Sequence, residues 1–137
     1  MTQCVFCRIV AKEIPAAVVF EDELTIAFMD AGQVNPGHVL VAAKAHAENL
    51  YELDDGQAGA LLRTAARVAR AIRAAFNPPG LSVYQANGKA AWQTVFHYHM
   101  HLLPRHEGDG MALAWPAKNP PREQLAEYAR AIRREVG

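Results

Sequence analysis

The chain lacks net charge: Lys and Arg number 14, Asp and Glu also 14, over 137 residues. Without a field of either sign it has no electrostatic footprint for nucleic acid or an anionic membrane, and neither partner is expected. No apolar run approaches the roughly 20 residues that cross a bilayer. The start, Met1-Thr2-Gln3-Cys4, lacks the basic stretch and apolar run of a secretory leader, so a cytoplasmic protein is expected. Cysteine is scarce: Cys4 and Cys7 are the only two. In a reducing compartment that three-residue spacing points to metal or redox chemistry before a structural disulfide. Repeats, low-complexity tracts and dividing linkers are also missing. With 51% apolar and 20% charged residues, the reading is one soluble domain spanning 1–137 with a real core.

What is present reads as alternating strands and helices. Val18–Phe20 and Thr25–Met29 are β-prone runs around Glu21-Asp22-Glu23, which predicts a hairpin. Asn35-Pro36-Gly37 marks a turn before a strand at His38–Ala42. Gln57–Asn77 is the clearest helix, with Leu61, Ala65, Val68, Ile72 and Phe76 on one stripe and Arg63, Arg67 and Arg70 opposite. The arginine row suits a solvated face. Asp54 with Gln57 resembles a capping box, and Asn77-Pro78-Pro79-Gly80 ends the helix. Leu81–Ala86 and Val95–Leu103 read as strands around a loop at Asn87–Thr94. Arg122–Val136 reads as a C-terminal helix with Leu125, Tyr128, Ala129, Ile132 and Val136 on one stripe. The fold class expected is α+β, an antiparallel sheet with one long helix and a C-terminal helix.

Three of the six histidines are His97, His99 and His101. Alternate strand residues share a face about 7 Å apart. The spacing therefore predicts a row of imidazoles, with Phe96, Tyr98, Met100 and Leu102 turned to the core. Imidazole serves as metal ligand, nucleophile, proton carrier or phosphate donor. A merely polar strand face, or chelation of one metal by two of the three, are the other readings. The preceding loop, Asn87-Gly88-Lys89-Ala90-Ala91-Trp92-Gln93-Thr94, offers neutral donors suited to phosphate and ribose oxygens. No acidic cluster beside it suggests a magnesium site, and positioning with charge stabilisation suffices for phosphoryl chemistry. No catalytic metal is expected.

His97-Tyr98-His99-Met100-His101-Leu102-Leu103 resembles the histidine-triad motif. Phe6-Cys7-Arg8-Ile9, Lys12-Glu13-Ile14-Pro15-Ala16, Phe28-Met29-Asp30, Pro36-Gly37-His38, Gln93-Thr94-Val95 and Leu103-Pro104-Arg105 resemble the same family, in its order. The chain looks like a member of the HIT superfamily of nucleotide hydrolases and transferases. The likeness covers about residues 4–107, which leaves 108–137 as a C-terminal extension. It implies a HIT-like fold and a purine nucleotide substrate. Cleavage of nucleoside phosphoramidates or related conjugates would proceed through a nucleotidyl group on His99. Dinucleoside polyphosphate hydrolysis, or a nucleotide-binding regulatory protein with incidental turnover, are the alternatives.

The resemblance further implies that His101 and His38 contact the α-phosphate and the leaving-group side. Gln93 and Thr94 would hold phosphate oxygens, Asn87 would line the phosphate site, and Asp30 would bind the ribose hydroxyls. Val5, Phe6, Ile9 and Met29 would form the base pocket, although their types equally suit core packing. Trp92 departs from the family, which usually has glycine immediately before the glutamine. Some bacterial relatives and the galactose-1-phosphate uridylyltransferases look similar around Cys4, Cys7, His46 and His97, where they hold a structural zinc. A thioredoxin-like redox pair would need a βαβ context that is absent here. A homodimer, paired through the long helix and a sheet edge, is also implied. His106 reads as a surface residue.

Overall fold

A computed structural model describes residues 3–137, so the first two residues of the expected domain, Met1 and Thr2, lie outside it. The elements are α1 (Val5–Val10), β1 (Val18–Glu21), β2 (Thr25–Met29), β3 (Val39–Ala43), α2 (Asp55–Phe76), β4 (Gly80–Tyr84), β5 (His99–Arg105) and α3 (Arg122–Glu135). All five strands form one antiparallel sheet in the order β1-β2-β3-β5-β4. The α+β expectation holds. The last strand inserts between β3 and β4, so the two sequence-distant halves of the chain meet at its centre.

Strand alternation sorts the sheet into two faces. Ala27, Val39, Val41, Ala43, Tyr98, Met100 and Leu102 form one cluster with Leu61, Ala65, Val68 and Ile72 of α2. Ile26, Phe28, Leu40 and Ala42 form the other with Phe6 and Ile9 of α1. α2 lies along its face because its apolar residues recur every three or four positions. It starts at a complete capping box: Gln57 N–H donates to the Asp54 carboxylate and the Gln57 side chain accepts from Asp54 N–H. It ends at Asn77, in the left-handed region at φ 46°. Phe76, expected on the buried stripe, is half exposed, with one side of its ring against Gly37. The arginine row is exposed as read; the Arg67 guanidinium sits over the Phe20 ring at 5.1 Å.

Two sequence-based expectations change. α1 falls where no element was assigned: six residues are too few for periodicity to declare a helix. β5 starts at His99 and runs to Arg105, beyond the Val95–Leu103 range expected. Phe96 therefore lies outside the strand and is 42% exposed, not in the core. Pro104 is tolerated inside β5 because β3 pairing stops at Leu102, and the Pro104 carbonyl on that open side accepts from Asn35 Nδ2 at 2.8 Å. Arg105 then locks the following turn through a two-point ion pair with Asp109 at 2.7 and 3.1 Å. This holds the Asp109 carboxyl well below the usual carboxylate range. No helix is long and apolar enough to cross a membrane among the described residues.

Candidate active site and metal centre

The histidine row divides. His97 lies in the bend before β5 and is fully buried, whereas His99 and His101 occupy the strand face that also carries Ala42 and Leu40. Each group takes up different chemistry.

His97 belongs to a four-donor cluster with Cys4, Cys7 and His46. Cys4 caps the N-terminus of α1, one turn before Cys7, so the helix sets both sulfurs on one side. Cys4 Sγ lies 3.3 Å from His97 Nδ1, Cys7 Sγ lies 3.3 Å from His46 Nδ1, and the two Nδ1 atoms are 3.2 Å apart. Donors of a tetrahedral zinc with two sulfur and two nitrogen ligands sit about 3.3–3.8 Å from one another. The cluster therefore fits zinc with little movement. The far nitrogen, His97 Nε2, donates to the Ala43 carbonyl at 2.6 Å, which leaves the Nδ1 lone pair facing the cluster. All four positions would be filled by protein, so an ion here is structural.

The next histidine is held in the opposite sense. His99 Nδ1 donates to the His97 carbonyl at 2.7 Å, so its Nε2 carries the lone pair. Burial pushes its pKa below the ordinary histidine value, and the ring is neutral near pH 7. A second chain of bonds orients His101. Val34 N–H donates to His38 Nδ1 at 3.4 Å, which leaves a proton on His38 Nε2 for His101 Nδ1, 2.9 Å away. His101 must then carry its proton on Nε2. The Asp30 carboxylate stands 3.5 Å from His38 and 3.8 Å from His101. Burial, reinforced by neighbouring His99 and His38 and opposed by Asp30, pushes His101 down to about 4. One face of the sheet thus presents an unprotonated ring nitrogen on His99 beside an N–H on His101, their ring centroids 5.2 Å apart.

A small recess of about 30 Å³ opens between them, lined by Tyr84, Ala86, Trp92, Gln93, Thr94, His99 and His101. Thr94 is exposed there and its hydroxyl is uncommitted among the described residues. Gln93 reaches the recess but is buried and spends its amide on the loop. Its Oε1 accepts from Gly88 N–H at 2.7 Å, and its Nε2 donates to the Glu48 and Val95 carbonyls at 2.7 and 3.2 Å. Asn87 stands outside the recess lining; its side chain accepts from Leu50 N–H and pairs with Gln85. Both amides thus shape the loop in this structure.

The residues expected to form a base pocket separate as well. Phe6 and Ile9 are buried in the α1 cluster, and Phe6 meets His99 edge-on with centroids 4.9 Å apart. Val5 is exposed beside them at 40%. Met29, one residue after Phe28, turns its side chain to the α2 side and lines a cleft there with Phe20, Val39 and Ile72. Phe28, not singled out from sequence, takes the site face and packs on Phe6 at 5.4 Å. Alternation along β2 held that signal. Asp30 follows β2 at the open end of the site, with its Oδ1 accepting from Gly32 N–H at 2.7 Å. His106 is exposed, as read.

A HIT domain family model matches residues 11–108. The chain belongs to the HIT family. Its structure superposes on a HIT family protein from Bacillus subtilis with a TM-score of 0.94 and 42% identity, covering 99% of each chain. An adenosine 5′-monophosphoramidase of Schizosaccharomyces pombe is 36% identical over 115 residues, 83% of this chain and 84% of that protein. A zinc-bound histidine triad family protein from Mycobacterium smegmatis matches with a TM-score of 0.75 and 33% identity, covering 98% of this chain and 95% of that one. At the level these likenesses support, this HIT chain is a nucleotide hydrolase.

Proposed function

We propose that this HIT protein cleaves nucleoside phosphoramidates, or related nucleotidyl conjugates, through a nucleotidyl group carried on His99. The observation behind this is the 2.7 Å bond from His99 Nδ1 to the His97 carbonyl, which leaves the Nε2 lone pair free to act as a nucleophile. Nε2 attacks the α-phosphorus and forms a phosphorus–nitrogen bond as the bond to the leaving amine breaks. The His101 Nε2–H and the Thr94 hydroxyl, both in the recess lining, would stabilise charge on the phosphate oxygens. His38 holds the His101 tautomer, and Gln93 acts as a positioning residue that keeps the 88–95 loop closed. The departing amine takes a proton from solvent, and water then cleaves the adduct to release nucleoside monophosphate and free His99. The phosphoramidase activity named for the fission-yeast relative favours this substrate class over a dinucleoside polyphosphate.

The nucleoside, a purine, would lie along α1, against exposed Val5 and the Phe6 edge, with its ribose toward Asp30. A zinc ion held by Cys4, Cys7, His46 and His97 would supply folding energy and no chemistry at phosphorus. We assign the protein to the cytoplasm as a homodimer. Leu125, Tyr128 and Ile132 of α3 and Val136 at its C-cap are all exposed, and a 14-residue helix is marginal in water without a partner surface. β4, with exposed Val83 and Tyr84, is an open sheet edge. The deciding experiment is rapid quenching of the enzyme with adenosine 5′-phosphoramidate, without acid, followed by mass spectrometry. An adenylyl group on His99 is expected. A strict magnesium requirement with no adduct would favour attack by metal-activated water instead.

A further inference from the structure

Trp92 is held in a backbone conformation that suits glycine. It closes the short 3₁₀ turn at Lys89–Ala91 with φ 69° and ψ 28°, in the left-handed region, where its N–H donates to the Lys89 carbonyl at 2.9 Å. Glycine adopts this region freely, whereas a large side chain does so at a cost. Nothing in the fold offsets that cost: the indole is 80% exposed and belongs to neither core cluster. It does line the recess beside His99 and His101, as does Tyr84, which is 45% exposed and meets the His101 ring edge-on at 5.9 Å.

The size of the recess decides what reaches the indole. At about 30 Å³ it has room for little more than one water molecule. α1 bounds the other side of His99 through the Phe6 ring. A leaving group larger than ammonia outgrows the recess, and Tyr84 and Trp92 are the exposed aromatic residues of its lining. Two exposed aromatic surfaces there suit a flat, apolar group, which they stack on and shield from water.

Resting on the nucleotidyl-transfer reading above, we propose that Trp92, supported by Tyr84, forms a leaving-group subsite for conjugates whose leaving amine carries an aromatic ring. The subsite selects among nucleotidyl conjugates by what is released, not by the nucleotide retained.

The test compares adenosine 5′-phosphoramidates of 2-phenylethylamine and of butylamine, whose nitrogens have similar basicity but only one of which carries a ring. The wild-type protein should favour the phenylethyl conjugate by about tenfold in kcat/KM, equivalent to about 1.4 kcal/mol. Trp92→Gly should bring that ratio close to one, and Trp92→Phe should keep most of it. Because glycine suits the φ at this position, Trp92→Gly should melt no lower than wild type, which separates recognition from misfolding. A ratio near one in the wild type, or an unchanged ratio in Trp92→Gly, overturns the subsite. If neither conjugate is cleaved, the function proposed above fails and the subsite is read by calorimetry with the same pair. Tighter binding of the phenylethyl conjugate, lost in Trp92→Gly, supports it; equal binding overturns it.

Discussion

Lowering the pH should cost this protein stability, most clearly at His101. His101 faces Asp30 after β2, His38 before β3, His99 on its own strand and Tyr84 on β4. Burial dominates, and its pKa drops from 6.5 in the unfolded reference to about 4. A depressed histidine costs nothing above pH 6.5, where both states are neutral. As pH falls below 6.5 the unfolded chain takes up a proton that the folded chain refuses, so stability is lost until about pH 4. By pH 5.5 that penalty is about 1.4 kcal/mol, and the full 2.5-unit shift corresponds to about 3 kcal/mol. The side chain is only 26% exposed, so solvent screening removes little of this. Urea unfolding at pH 7.5 and 5.5 measures it, and His101→Gln isolates it, because the Gln carbonyl can still accept from His38 Nε2–H. The wild type should lose about 1.4 kcal/mol more than the variant between the two pH values, roughly 5 °C in Tm for a domain of this size. Equal losses in the two proteins would refute the reasoning.

Further expectations follow from the same geometry. His99→Ala should abolish turnover of adenosine 5′-phosphoramidate, while calorimetry shows AMP binding within about tenfold of wild type, roughly 1.4 kcal/mol; near-normal turnover would remove His99 from the mechanism. Elemental analysis of protein purified without chelator should give about one zinc per chain, and Cys4→Ser combined with Cys7→Ser should lose both the metal and several degrees of Tm. Metal-free fresh wild type would overturn His46 and His97 as ligands. Excess EDTA in a short assay should leave the initial rate nearly unchanged, and magnesium should not raise it; a rate that collapses within seconds of chelation contradicts the assignment of roles.

Much of this was legible in the sequence because the informative residues sit in regular elements. The capping box, the apolar stripe of α2 and the alternation of Tyr98, Met100 and Leu102 each follow a fixed period, and the structure reproduces them. The misreadings occur where the period breaks. A strand assumed to start at Val95 ran through His97, which lies instead in the bend at 95–97, beside the cysteines with which the family resemblance had already grouped it. Met29 shares a motif with Asp30 but a strand face with Ala27, and only the sheet decides between them. Asn87 and Gln93 are polar residues in a polar loop; sequence alone does not show that their amides are committed to backbone groups of Leu50, Gly88, Glu48 and Val95. Trp92 was visible as a departure, and its positive φ and exposure were not.

His97 gives its ring to the cluster of cysteines and its carbonyl to His99. A single peptide segment therefore joins the cysteine–histidine cluster to His99, and a disturbance at the first should reach the second through the backbone. For a genetic screen scored on turnover, this blurs the usual map. Substitutions of Cys4, Cys7 or His46, none of which lies in the recess, should lower stability more than turnover, and would register as partial losses beside the complete loss at His99. The partial and complete losses together would outline one connected region.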